Sequence, residues 1–151
     1  MNRYNSRGYC RNNRNNNEKN CKKTDFGASP YVVNIASVVS QNNAFRSTLW
    51  TGECLQMAIM CIPVGCEIGA EIHPRTDQYL FIQEGQGMVK MGSCENSITL
   101  EQCVSCGCGI FVPAGTWHNL LNTGECPLKL LSIYAPPEHE FGTVQQNPPC
   151  E

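Results

Sequence analysis

Long apolar runs are missing from this sequence. No stretch approaches the roughly 20 apolar residues that a membrane-crossing helix needs, and Met1 is followed by Asn2 and Arg3 rather than by the apolar core of a secretion signal. A soluble, cytoplasmic protein with no membrane partner is the expectation. Aliphatic residues are also nearly absent from the first 23 positions. Met1 to Lys23 holds seven Lys or Arg against one Glu, a net charge of +6, and is rich in Asn; the remainder carries −8. Such a segment cannot bury enough apolar surface to offset the entropy of ordering, so residues 1–25 read as a disordered basic tail. The tail lacks interleaved aromatics and any recognised binding module, which argues against nucleic acid as a partner. Convincing helical periodicity is missing as well.

Cysteine, by contrast, is plentiful: 11 residues, an odd number. In a chain without a secretion signal these read as mostly free thiols, several serving as small apolar core residues, for instance Cys61 within the run Leu55 to Val64. Cys103, Cys106 and Cys108 cluster tightly, but a structural zinc site needs four ligands and a single C-x-x-C is present here. Loop or core cysteines are the favoured reading of that cluster. Cys10 and Cys21 leave room for cross-linking of the tail. At 151 residues the chain fits one domain, which hides roughly 70% of its unfolded surface and folds without disulfide staples.

From Tyr31 onward, short alternating apolar runs are broken by Gly, Pro and Asn, the pattern of strands and turns. Strands are expected at Tyr31 to Ile35, Phe45 to Trp50, Leu55 to Ile62, Ala70 to His73, Tyr79 to Gln83 and Gly87 to Met91. Further ones are expected at Ile98 to Leu100, Gly109 to Val112, Trp117 to Asn122 and Leu128 to Tyr134. Many short strands at even spacing predict an all-β sandwich or barrel.

Two segments hold nearly all the metal-type ligands. The first runs Gly65, Glu71, His73, Gln78, Gly85. Side chains two apart on a strand share a face, so a carboxylate and an imidazole lie side by side with Ile72 opposed. After a turn at Pro74 to Asp77, Gln78 shares a face with Leu80 and Ile82, and enters the interior if they do. Asp77 is a rival for the same role. The second segment runs Gly107, Pro113, Gly115, His118, Asn122, with a tight Pro-Ala-Gly turn feeding the strand that carries His118.

At these residues the sequence resembles the cupins. Their first motif sets a His-x-His pair and a Glu between two glycines, and their second sets Pro, Gly and His between a Gly and an Asn. The second is complete here; the first keeps its spacing with Glu71 in place of the first His and Gln78 in place of the Glu. Both exchanged residues still offer oxygen. The resemblance covers roughly Tyr31 to Phe141 and is nearest to small single-domain bacterial cupins described as mannose-6-phosphate-isomerase-like, which share the ending Tyr134-Ala135-Pro136-Pro137-Glu138-His139.

The resemblance implies a cupin β-barrel (a double-stranded β-helix or jelly roll) over residues 26–151 and a divalent metal ion, Mn, Fe, Zn or Ni, held by Glu71, His73, Gln78 and His118. A homodimer and a small-molecule substrate or ligand follow from it too. Replacing one imidazole by oxygen hardens the site, while the general affinity order of divalent ions pulls toward Zn and Ni. Glu71 is also placed to act as a catalytic base. His139 reads as a loop residue rather than a ligand, and Arg46, Trp50, Tyr79 and Tyr134 as pocket-shaping or packing residues. Three functions stay open: a metal-dependent isomerase or dioxygenase; a non-catalytic sugar or small-molecule binder; and a cysteine-rich structural protein of a spore layer or other assembly.

Overall fold

A computed structural model describes residues 22–149; the tail and the Cys10 and Cys21 cross-links proposed for it fall largely or wholly outside that span. The strands are β1 (Arg46–Thr51), β2 (Gln56–Ile62), β3 (Asp77–Glu84), β4 (Gln86–Cys94), β5 (Ser97–Ser105), β6 (Gly109–Val112), β7 (Trp117–Asn122), β8 (Leu128–Ala135) and β9 (Val144–Gln145). They form a six-stranded sheet, β6-β3-β8-β2-β1-β9, facing a three-stranded sheet, β5-β4-β7. All pairings are antiparallel. This is the jelly-roll arrangement expected from the alternating pattern.

Alternation decides which side chains enter the space between the sheets. Leu80 and Ile82 of β3, Met60 and Ile62 of β2, Leu128 and Leu130 of β8, and Val89 and Leu120 from the facing sheet form the inner core. The intervening residues Tyr79, Phe81, Leu131, Ile133 and Ile59 pack on the outer face of the large sheet. Along each strand the inner row then changes chemistry. β8 runs from Leu128 and Leu130 to Ser132 and Tyr134, β2 from Ile62 and Met60 to Gln56, and β3 from Ile82 and Leu80 to Gln78, all buried. The register pairs Gln78 with Tyr134, and Tyr134 with Gln56. One end of the barrel is therefore apolar, and the other gathers buried polar groups.

Three expectations about elements are corrected. Tyr31 to Ile35 is no strand: Val32 is 97% exposed, and Ile35 opens a short helix, α1 (Ile35–Gln41), where no helix was expected. Its β-branched residues are poor helix formers, but the Asn34 side chain accepts from Ser37 N at 2.9 Å. Val39 is fully buried against the outer face of the large sheet. Capping and burial outweigh propensity in so short a segment. Ala70 to His73 is also no strand but an extended segment between Gly69 and Pro74, tied to β7 by a single bridge, Glu71 with His118. Strand β9, unforeseen, pairs with β1.

Candidate metal centre

Four separate parts of the chain meet at the polar end of the barrel. The Glu71 and His118 backbones exchange two hydrogen bonds of 3.0 Å, which sets their side chains next to each other. Alternation persists beside that bridge, so His73 is buried alongside Glu71 while Ile72 faces out, 47% exposed. Gly115, at φ +79°, makes the turn before β7 and donates its N–H to His73 O at 2.8 Å; only a residue at ease in that left-handed region fits there. Gly85, at φ +88°, leaves no room for a side chain, since a Cβ would lie 2.9 Å from Pro127 O. Asn122, the last residue of the second motif, is a staple rather than a site residue: its Nδ2 donates to Ile62 O and Cys126 O, and its Oδ1 accepts from Gly124 N.

Glu71, His73 and His118 each offer one ligand atom, all within 4.8 Å of one another. Glu71 Oε2 lies 3.4 Å from His73 Nε2 and 3.8 Å from His118 Nε2. An ion bound at roughly 2.0–2.2 Å from each ligand requires about this spacing. Each of these side chains is also fixed by its other end. Glu71 Oε1 accepts from Arg46 Nη2 at 2.9 Å, His118 Nδ1 meets Thr116 O at 3.0 Å, and His73 Nδ1 lies 3.2 Å from Glu138 Oε1. Gln78 Nε2 donates to Ser132 Oγ at 2.9 Å. The opposite atoms, Glu71 Oε2, His73 Nε2, His118 Nε2 and Gln78 Oε1, are buried without a hydrogen-bond partner.

Buried polar atoms are normally satisfied, and outer partners that orient a ligand's free lone pair are the usual setting of a metal site. The Glu71, His73 and His118 donor set therefore fits a divalent cation, and Gln78 Oε1 is a further buried oxygen at the same end of the barrel. Charge balance alone would not demand one, because Arg46 already supplies a counter-charge to Glu71; the four unpartnered atoms carry the case.

Ionisation agrees with that fit at Glu71 and His118. Burial pushes the Glu71 carboxyl up, but the neighbouring His73 ring and the Arg46 guanidinium outweigh it and hold it below its ordinary value. Burial lowers His118 and favours its neutral, ligating form. The close approach of the Glu71 carboxylate, with Glu138 on the other side of the ring, raises the His73 pKa against the opposing effect of burial.

Gln78 faces the interior with Leu80 and Ile82, as the strand-face reasoning expects. Its rival Asp77 is exposed and accepts from Ala114 N at 2.9 Å. Arg46 and Tyr134 border the site, whereas Trp50 donates to Ser29 O at the surface and Tyr79 packs at a tilt against exposed Phe111 of the outer face. His139 does lie in a loop, but its ring packs edge-on against Tyr134, 4.9 Å between centroids, and its Nε2 is buried and unpartnered. Glu138 and His139 are the site residues that sequence reasoning passed over. The Tyr134 to His139 run was visible as a family ending, but nothing in it reveals that the chain folds back over His73. Cys103 and Cys106 are exposed, Cys108 is half-buried, and all eight cysteines among the described residues are free. Cys61 is buried, as expected.

Residues 58–134 match the family model described as Cupin domain. The Bacillus subtilis protein YrkC is 50% identical over 85% of this chain and 69% of its own length. The crystal structure of BH2720 from Bacillus halodurans superposes with a TM-score of 0.81 at 51% identity, covering 82% of this chain and 94% of that one. A Klebsiella pneumoniae protein with a double-stranded β-helix domain shares the fold at TM-score 0.60 and 16% identity, covering 78% of this chain and all of that one. With two sheets in jelly-roll order and a family match spanning half its length, this chain belongs to the cupin family.

Proposed function

We propose that this protein is a metal-dependent enzyme acting on a small organic molecule, with Glu71, His73, His118 and Gln78 holding the ion. The observation that carries the reading is the set of four buried, unpartnered ligand-type atoms on side chains whose other ends are each fixed. A donor set of two imidazoles and two oxygens suits Mn, Fe, Zn or Ni. Such an ion, when bound, supplies Lewis-acid polarisation of a substrate oxygen, as an isomerase needs, or activation of dioxygen, as a dioxygenase needs.

The chain's own residues supply position and charge. His73 and Arg46 together hold the Glu71 carboxyl below its ordinary value, which favours the ligand role of Glu71 over the role of base. Glu138 orients His73 so that its Nε2 faces inward. A cytoplasmic setting accords with a reduced state of the described thiols, and no helix among the described residues is long and apolar enough to cross a membrane. Exposed Phe111, 73% accessible beside Tyr79, favours a homodimer through the outer face of the large sheet.

A non-catalytic binder is the second reading, favoured by the depth of the ligand atoms. A cleft of about 610 Å³ lies elsewhere, lined by Lys90, Trp117 and Asn119 outside the small sheet. Turnover separates the two readings. Protein reconstituted with Mn, Fe, Zn or Ni should convert a member of a panel of sugar phosphates and small organic acids, or consume oxygen with one. Tight ligand binding without turnover would leave the binder.

A further inference from the structure

Beside the four ligand atoms stands a second group of buried, unpartnered atoms with the opposite character: Arg46 Nε, the Tyr134 hydroxyl and His139 Nε2. An arginine N–H and a phenol donate hydrogen bonds, and an imidazole nitrogen donates in one of its tautomers. His139 stands outside the group of His, Cys, Asp and Glu residues whose atoms converge within 4.8 Å, so it is not a further member of the triad. It is nonetheless held firmly in place. Gln56, fully buried, accepts from the backbone N–H of Glu138 and of His139 at 3.2 and 2.9 Å and donates to His139 O at 2.8 Å. The Tyr134 ring touches both histidines edge-on, 5.8 Å from the His73 centroid and 4.9 Å from that of His139. Arg46 reaches the same place, with one terminal nitrogen on Glu71 and the other on Gln145.

We propose that Arg46, Tyr134 and His139 form an oxyanion subsite, and that the molecule taken by the metal centre carries a carboxylate or phosphate group. This rests on the metal reading above. Charge supports it: a divalent cation and Arg46 together exceed the charge of Glu71 and Glu138, so the loaded site remains positive and favours an anion over a neutral sugar. In the proposed subsite three donors would replace the hydration of one oxyanion with fixed dipoles and a positive charge, and hydrogen bonds to a charged group are the strong ones.

The test uses the full chain loaded with Co²⁺, titrated with lactate, with inorganic phosphate and with the neutral analogue lactamide, and followed through the cobalt absorption bands. Lactate or phosphate should shift the spectrum saturably and lactamide should not; which of the two anions binds distinguishes a carboxylate from a phosphate source. In Tyr134→Phe and His139→Gln, cobalt content and circular dichroism should match wild type, while the Kd for the anion rises about tenfold or more. Lactamide binding as tightly as the anions, neither anion binding, or an unchanged Kd in both variants would overturn the subsite. Wild-type protein that takes up no cobalt would instead overturn the metal reading on which it rests.

Discussion

Among single residues, Glu71 has the most contacts to reconcile: one oxygen on Arg46, the other facing two histidines. Removing its carboxylate leaves Arg46 buried without its charge partner, so Glu71→Ala should cost about 3–5 kcal/mol in denaturant unfolding. Gln78→Ala tests the fourth ligand. It should weaken metal affinity in a competition titration with a chelator and leave the ion still bound by the other three, whereas an unchanged affinity would remove Gln78 from the set. Asp25 offers a pH-dependent counterpart that is not one of the candidate ligands. Its buried carboxylate accepts from Thr51 Oγ1, Gly27 N and Gly142 N, tying the N-terminal entry and the C-terminal strap to β1. Burial alone would raise its pKa, yet these hydrogen bonds together lower it. A depressed folded-state value contributes stability that is complete above the unfolded value, about 3.9, and lost as pH falls through the folded one. Asp25→Asn should thus lower stability by about 1–3 kcal/mol at neutral pH, and the gap from wild type should close below about pH 4 in acid titrations of thermal unfolding.

Elements carry the next set of constraints. The strap from Pro136 to Thr143 brings Glu138 and His139 to the site and is clamped by Gln56. Gln56→Met should free it, raising amide hydrogen exchange at Glu138 and His139 well above that of β2 and β8; equal exchange in mutant and wild type would show that the clamp is not what holds the strap. The same strap explains how much of the site was legible in advance. The candidate ligands Glu71, His73 and His118 stood in motifs whose spacing encodes strand faces and tight turns, and local alternation was enough to place Gln78 inside with Leu80. Glu138, His139 and the Arg46 partnership depend on contacts between residues far apart in the chain, 25 for Arg46 with Glu71 and 83 for Gln56 with His139, which no local pattern records. Likewise, β6, β7 and β8 were readable from alternation and turn residues, while α1 was hidden because its seat on the sheet, not its composition, makes it a helix.

For the molecule as a whole, the division of the barrel into an apolar base and a polar end separates folding from chemistry. The base, from Phe45 and Ile62 to Leu120 and Leu130, is a buried apolar cluster that contains none of Glu71, His73, Gln78 and His118, so the site can be altered without dismantling the core. Among the described residues no disulfide braces this arrangement, because the eight cysteines there are all free. Thermal unfolding with and without reductant should coincide, and non-reducing electrophoresis should give a band of monomer size; a ladder of cross-linked species would favour the structural-assembly reading instead. The most direct test of the central claim is metal analysis of the purified full chain, paired with His118→Ala. The account predicts a divalent transition ion in stoichiometric amount in wild type, lost in the variant while its circular dichroism stays that of a β protein. A wild-type chain that remains metal-free after incubation with Mn, Fe, Zn and Ni, or a variant that keeps its ion, would contradict it.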